Sequence, residues 1–188
     1  MKEKTTVGVI GLGLGQAHLA GYLKDERTEV IGLADLDAGL VEDTASRHGV
    51  PHAFTDYRDL AALGPDLVSV CLPNFLHAPV TIDVLDAGAH VLCEKPMALN
   101  AGQAREMAFA ARRNGRYLMI ALNNRFRAET RILKKLVEQE VLGEIYYART
   151  GWLRRSGIPG PGTWFTRKSQ AGGGPLIDLG VHMIDLTR

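Results

Sequence analysis

The residues best suited to chemistry lie in three places. Val91-Leu92-Cys93-Glu94-Lys95-Pro96 puts an amine at the end of a short apolar run. If that run is a parallel strand, Lys95 stands at the carboxyl edge of the sheet, where open α/β sheets bind their ligands. A partly desolvated amine there becomes a usable proton donor or acceptor. Pro96 fixes the chain and is a position where a cis peptide bond is tolerated. The plainer alternative is a surface lysine in a turn.

Gly11-Leu12-Gly13-Leu14-Gly15 follows the first β-branched run, Thr5–Ile10. Glycines at such a turn let the backbone approach a pyrophosphate, with a helix N-terminus behind to supply N–H groups. The spacing departs from the usual G-x-G-x-x-G/A: the third glycine falls one position early, and Gln16 holds its usual place. An ordinary strand–helix turn is the alternative. Asp35 closes the second apolar run, about 20 residues further on, where a carboxylate accepts hydrogen bonds from ribose hydroxyls. It would repel a 2′-phosphate, and no arginine follows it directly, so NAD is favoured over NADP. Asp37 competes for the role, and a solvated strand end is the bland reading.

Asp178 and His182 are four residues apart, with Asp185 on the same stripe if the segment is helical. A histidine there exchanges a proton with an alcohol oxygen near neutral pH, and the aspartate orients a hydroxyl. Read alone, the pair fits a helix surface equally well. A metal held by Asp178, His182 and Asp185 is a weaker option, because the other histidines are scattered.

Elements to position these groups are legible around them. Strands are expected at residues 5–10, 29–34, 67–72, 90–93 and 117–122. Helices are expected at 14–24, 37–48 with Gly49 as stop, 78–87, and from an Asn100 cap to 113. Near-continuous apolar strands alternating with helices give a parallel sheet covered on both faces, an α/β doubly wound fold of Rossmann type. After Asn123 the texture changes. A charged amphipathic helix is expected at 127–140, a strand of a different sheet at 143–153, a Gly/Pro-rich loop at 156–174 and the start of a helix from Leu176. The domains are therefore read as 1–122 and 123–188, the second being the incomplete start of an α+β substrate domain.

The 188 residues carry 22 basic and 21 acidic side chains, a formal net charge of +1, which gives no reason to expect a nucleic-acid or membrane partner. Cys71 and Cys93 each end an apolar run and read as reduced core thiols. With no apolar span long enough for a membrane helix, a cytoplasmic location is expected.

Taken in order, these motifs resemble the Gfo/Idh/MocA family, which includes glucose–fructose oxidoreductase and inositol 2-dehydrogenase. The match runs through Gly11–Gly15 with His18, Asp35, Pro73-Asn74-Phe75-Leu76-His77, Glu94-Lys95-Pro96, Asn123-Asn124-Arg125-Phe126, and the Asp178, Gly180, His182, Asp185 pattern after Gly172-Gly173-Gly174-Pro175. The resemblance implies an NAD(P)-dependent oxidoreductase that moves a hydride between nicotinamide and a sugar or polyol. It assigns the dinucleotide to Gly11, Gly13, Leu14, Gly15, Asp35, Leu72, Pro73, Asn74, His77, Glu94, Lys95 and Trp164. It assigns catalysis to Lys95, Asp178 and His182, and substrate contact to Lys95, Arg125, Asp178 and His182. Arg154, Arg155 and Trp164 are expected to influence which sugar is chosen.

Relatives carry a longer C-terminal sheet that covers the site and often builds an oligomer interface, so a homo-oligomer and a C-terminally truncated chain are both expected. Two alternatives stay open: an NAD-binding remnant without turnover, and an NAD-dependent glycosidase.

Overall fold

A computed structural model of the chain describes residues 4–153, 155–157 and 159–188. Six strands form one parallel sheet in the order β3-β2-β1-β4-β5-β6: β1 Thr5–Ile10, β2 Thr28–Ala34, β3 His52–Phe54, β4 Leu67–Val70, β5 His90–Cys93 and β6 Leu118–Ile120. The order reverses between β1 and β4, which opens a crevice at their carboxyl ends. Cys71 N–H donates to the Ile10 carbonyl across that junction at 2.8 Å.

Helices cover both faces. The first half supplies α1 Gly15–Tyr22, α2 Ala38–His48 and α3 Tyr57–Ala62; α4 Asn74–Asp86 and α5 Ala101–Arg113 follow. Their ends obey local chemistry. Asp37 caps α2 by accepting from Leu40 N–H at 3.0 Å, Asn100 caps α5 by accepting from Gln103 N–H at 3.0 Å, and Gly49 ends α2 in the left-handed conformation. The α4 helix begins four residues earlier than its pattern suggests. Pro73 sets the entry, and Pro79 sits inside the helix, so the Phe75 carbonyl loses the amide that would normally bond it.

Two apolar clusters result. One packs Val68, Val70, Val84, Leu85, Val91 and Met107 between β4, β5, α4 and α5; the other packs Val9, Leu12, Leu19, Leu33 and Val41 around β1, β2 and their helices. Full burial of a leucine such as Leu85 contributes about 1.5–3 kcal/mol. Neither β3 nor α3 is anticipated in the sequence. Leu60 of α3 is wholly buried over two strand glycines: a Cβ on Gly32 would lie 2.5 Å from its Cδ1, and one on Gly8 3.1 Å from its Cδ2. Cys71 and Cys93 are free, buried thiols, and burial pushes both up, Cys93 to about 12.

The second part differs. A 3₁₀ turn, Asn123–Phe126, leads into α6 Ala128–Glu138, whose residues are almost all exposed. Residues 143–153 form no strand. Their alternating pattern pairs with no strand among the described residues. A 3₁₀ turn at Trp164–Thr166, α7 Lys168–Ala171, a π-helical turn Leu176–Gly180 and α8 Val181–Leu186 return the chain to the sheet edge. The expected single helix from Leu176 is thus a π turn continued by α8. No described helix is long and apolar enough to cross a membrane.

Candidate active site

The glycine loop is built by close contact. Gly11 has φ +85°, and a Cβ there would sit 2.5 Å from the Cys71 carbonyl oxygen. Only glycine meets both demands. Gly15 opens α1 against the sheet, where a Cβ would lie 3.0 Å from Val9 Cγ1. The early third glycine therefore does the helix–strand packing usually done one position later, and the loop is one residue shorter. Gly13 is exposed, with open space where its side chain would be. A bare backbone at the mouth of the crevice, ahead of a helix N-terminus, fits a pyrophosphate. Asp35 supports the loop from β2: Oδ2 accepts from Leu12 N–H at 2.6 Å and Oδ1 from Asp37 N–H at 3.0 Å.

Beside this loop opens a cavity of about 600 Å³ lined by Leu14, Ala17, His18, Glu94, Lys95, Ala121, Asn123, Trp152, Gly157, Pro159, Gly160, Thr163, Phe165, Asp178, Leu179 and His182. That volume lies within the usual range for small-ligand sites. Glu94 and Lys95 reach it from the end of β5, directly before the cis Lys95–Pro96 bond. Lys95 Nζ donates to Asp178 Oδ1 at 2.7 Å and to the Asp178 carbonyl oxygen at 3.0 Å. The pair spans 83 residues and joins the sheet edge to the π turn. Gly180 permits that turn, because a Cβ there would fall 2.7 Å from Leu176 Cδ1.

His182 is buried on the cavity wall, 5.7 Å from the Trp152 ring centre, and its Nδ1 lacks a hydrogen-bond partner. Burial first, then the Lys95 charge, hold its imidazole below the ordinary 6.5. It is thus a neutral ring on the cavity wall, suited to accept a proton. Glu94 is buried too. Burial alone would push its carboxyl up, but hydrogen bonds from His18 and Lys95 N–H outweigh that and leave it below the usual carboxylate range.

Lys95, Asp178, His182, Glu94 and Leu14 thus share one cavity. Leu72 and Pro73 lie half-buried, Leu72 with its Cδ2 against the Gly11 turn. Four other assigned residues stand apart from the cavity lining, engaged with partners inside the protein. Arg125 does not line the cavity; its exposed guanidinium forms a two-pronged ion pair with Asp185 and ties the turn after β6 to α8. Trp164 stacks on Phe165 with ring centres 3.7 Å apart, and Phe165 is the one at the cavity. Asn74 is buried and donates to the Ala171 carbonyl at 2.9 Å, docking α7 on α4. His77 is fully buried, with its ring nitrogens 2.7 Å from the Pro96 and Leu72 carbonyl oxygens, and it clamps the lysine turn from behind. Arg154 lies outside the described residues, and Arg155 is exposed.

Sequence reasoning placed His18 in a motif without giving it a role. It stands three residues into α1, one turn from the crevice, and that spacing was the available signal. Trp152 went unassigned because it sits in a stretch read as a strand, and Phe165 and Thr163 because their Gly/Pro-rich loop has no periodic pattern.

Comparisons with known proteins agree with this geometry. A family model described as an oxidoreductase family with an NAD-binding Rossmann fold matches residues 5–122, and one for the GFO/IDH/MocA C-terminal domain matches residues 130–188. The chain is 41% identical over 182 residues to D-glucoside 3-dehydrogenase of Escherichia coli, covering 95% of this chain and 52% of that protein. A solved oxidoreductase domain protein from Kribbella flavida superposes with a TM-score of 0.90 at 31% identity, over 98% of this chain and 53% of that one. Levoglucosan dehydrogenase in complex with NADH and levoglucosan gives a TM-score of 0.83 at 27% identity, over 99% and 54%. The chain spans about half the length of the relatives it matches. With both family models matching in order along the sequence, the chain belongs to the Gfo/Idh/MocA oxidoreductase family.

Proposed function

We propose that this chain binds NAD(H) along the carboxyl edge of its sheet and takes part in oxidising a hydroxyl of a sugar or polyol. The observation that carries the reading is the meeting of Lys95, Asp178 and His182 on one cavity beside the glycine loop. Gly11, Gly13, Leu14 and Gly15 would hold the pyrophosphate, and Asp35 the adenosine ribose, which favours NAD over NADP.

When bound, the dinucleotide supplies a two-electron acceptor for the hydrogen on the substrate carbon. The chain supplies orientation and proton handling. Lys95 Nζ, a donor already aimed into the cavity, holds the substrate hydroxyl oxygen and stabilises negative charge developing on it. His182 takes the hydroxyl proton, for which its depressed basicity leaves it free near neutral pH. Asp178 keeps the lysine ammonium in place and accepts from a neighbouring hydroxyl. Trp152 and Phe165 offer ring faces to the C–H surface of a sugar.

Relatives named for a glucoside and for levoglucosan support the substrate class. The same reading takes residues 123–188 as the start of a substrate domain with its boundary after Leu122. It also carries a homo-oligomer, which rests on the resemblance alone, and a cytoplasmic location, which rests on the sequence reading alone.

The test is calorimetric titration with NAD and NADP, then a panel of polyols, aldoses and glycosides followed at the NADH absorbance. NAD binding tighter than NADP, with NADH accumulating on one sugar, is the expected result. Binding without turnover would make the chain a dinucleotide-binding module. Cleavage of a glycoside with no net NADH would make it a glycosidase.

A further inference from the structure

One polar chain, running from the cavity wall back into the sheet, is unused by that mechanism. His18 Nε2 lies 3.0 Å from Glu94 Oε1, and its Nδ1 lies 3.1 Å from the hydroxyl of Ser69, a fully buried β4 residue. Ser69 Oγ is in turn 2.8 Å from the Tyr22 hydroxyl at the end of α1. Glu94 Oε2 accepts from Lys95 N–H at 3.0 Å. The cluster therefore links α1, β4 and the lysine turn.

With the His18 ring carrying a single proton, the donors and acceptors admit one consistent order. An ionised carboxylate only accepts, so Nε2 of a neutral His18 must carry the proton. Nδ1 is then a lone pair, which Ser69 O–H satisfies as donor. Ser69 Oγ, having given its only proton, accepts from Tyr22 O–H. Burial raises the Tyr22 phenol above its ordinary 10.0, so it stays a donor at working pH. Every polar atom in the chain thus finds a partner, at distances normal for such bonds.

We propose that His18 is a positioning residue for the reaction: Tyr22 and Ser69 lock its Nε2–H tautomer, and that N–H fixes the Glu94 carboxylate, which in turn holds the backbone of Lys95. The device makes the helix behind the glycine loop and the lysine turn one rigid unit. The dinucleotide edge and the reacting amine are then set by a common strut. The inference rests on the reading that Lys95 acts in turnover, but its structural half does not need turnover to be tested.

Two measurements test it. The first is ¹⁵N-histidine NMR of the full chain at about pH 8, above the ordinary imidazole range. A protonated Nε2 and a bare Nδ1 are expected at His18, and Ser69→Ala should shift the tautomer balance. A protonated Nδ1 in the wild type overturns the proposal. The second is steady-state kinetics of His18→Gln and His18→Asn. The Gln amide nitrogen takes the place of Nε2 and the Asn amide that of Nδ1. His18→Asn should lose roughly 10- to 100-fold in kcat with little change in the KM for NAD, as expected when a reacting group is misaligned. His18→Gln should recover most of the loss. The pH–rate midpoints should stay in place while the plateau falls. Equal rates in the two variants, or a moved midpoint, would overturn the positioning role. A wild type with no turnover on any sugar breaks the functional reading instead, and the NMR result then decides the role of His18 by itself.

Discussion

The sheet and the segment after β6 are held together in different ways. In the sheet region, each interior strand is paired on both sides and the core residues of β4, α4 and α5 are sealed. In the segment after β6, order comes from a few long-range polar links: Lys95 to Asp178, Arg125 to Asp185, and Asn74 to Ala171. Its apolar residues, among them Ile132, Leu133, Val141 and Leu153, stand exposed. The first region supplies the platform and the second supplies half of the chemistry. Stability and activity should therefore respond to mutations in different places.

The sharpest division is expected at Lys95. Lys95→Met should cut kcat by about 10²–10⁴-fold, the usual contribution of a positioned proton-handling group, with the calorimetric affinity for NAD little changed. Wild-type turnover in this variant would break the assignment. Next comes the contrast between Leu85, fully buried in α4, and Ile132, 60% exposed on α6. Leu85→Ala should cost about 2–5 kcal/mol in urea denaturation through the cavity it leaves. Ile132→Ala should change stability by less than about 0.5 kcal/mol. Similar costs at both positions would erase the distinction between the two regions.

The smallest effect concerns pH. Burial is the main cause that holds His77 and His182 below the ordinary 6.5. Between those lowered values and 6.5, the unfolded chain binds more protons than the folded one, so stability rises with pH through that window. It is complete above 6.5 and is lost as pH falls, with a slope of at most about 1.4 kcal/mol per pH unit for each group. Urea midpoints taken from about pH 7.5 down to about pH 5 should fall, and His182→Asn should flatten part of the decline. A midpoint that rises on acidification would contradict the buried, neutral assignment.

Most of the platform was legible because its signals are local. Apolar runs, Asp37 and Asn100 caps and the Gly49 stop all act within a few residues. What escaped was tertiary. The β3 strand has three residues, too few for a local signal, and α3 seats against the sheet where Gly8 and Gly32 leave room for Leu60. The alternation at 143–153 mimics a strand, yet pairing needs a neighbour that no local pattern supplies. In the site, Lys95, Asp178 and His182 were readable as chemical types at known edges. The commitments of Arg125, His77 and Asn74 were not, because each depends on a partner 60, 19 or 97 residues away.

Asp35 has a consequence for anyone wishing to re-engineer coenzyme preference. Its carboxylate serves as a mechanical brace for Leu12 N–H as well as the proposed anchor for the ribose. Replacing it with a small or basic residue to welcome a 2′-phosphate would slacken the glycine turn for both coenzymes at once. Selectivity and overall affinity are geared together at that side chain. An asparagine, which keeps one acceptor oxygen and sheds the charge, is the exchange that separates them.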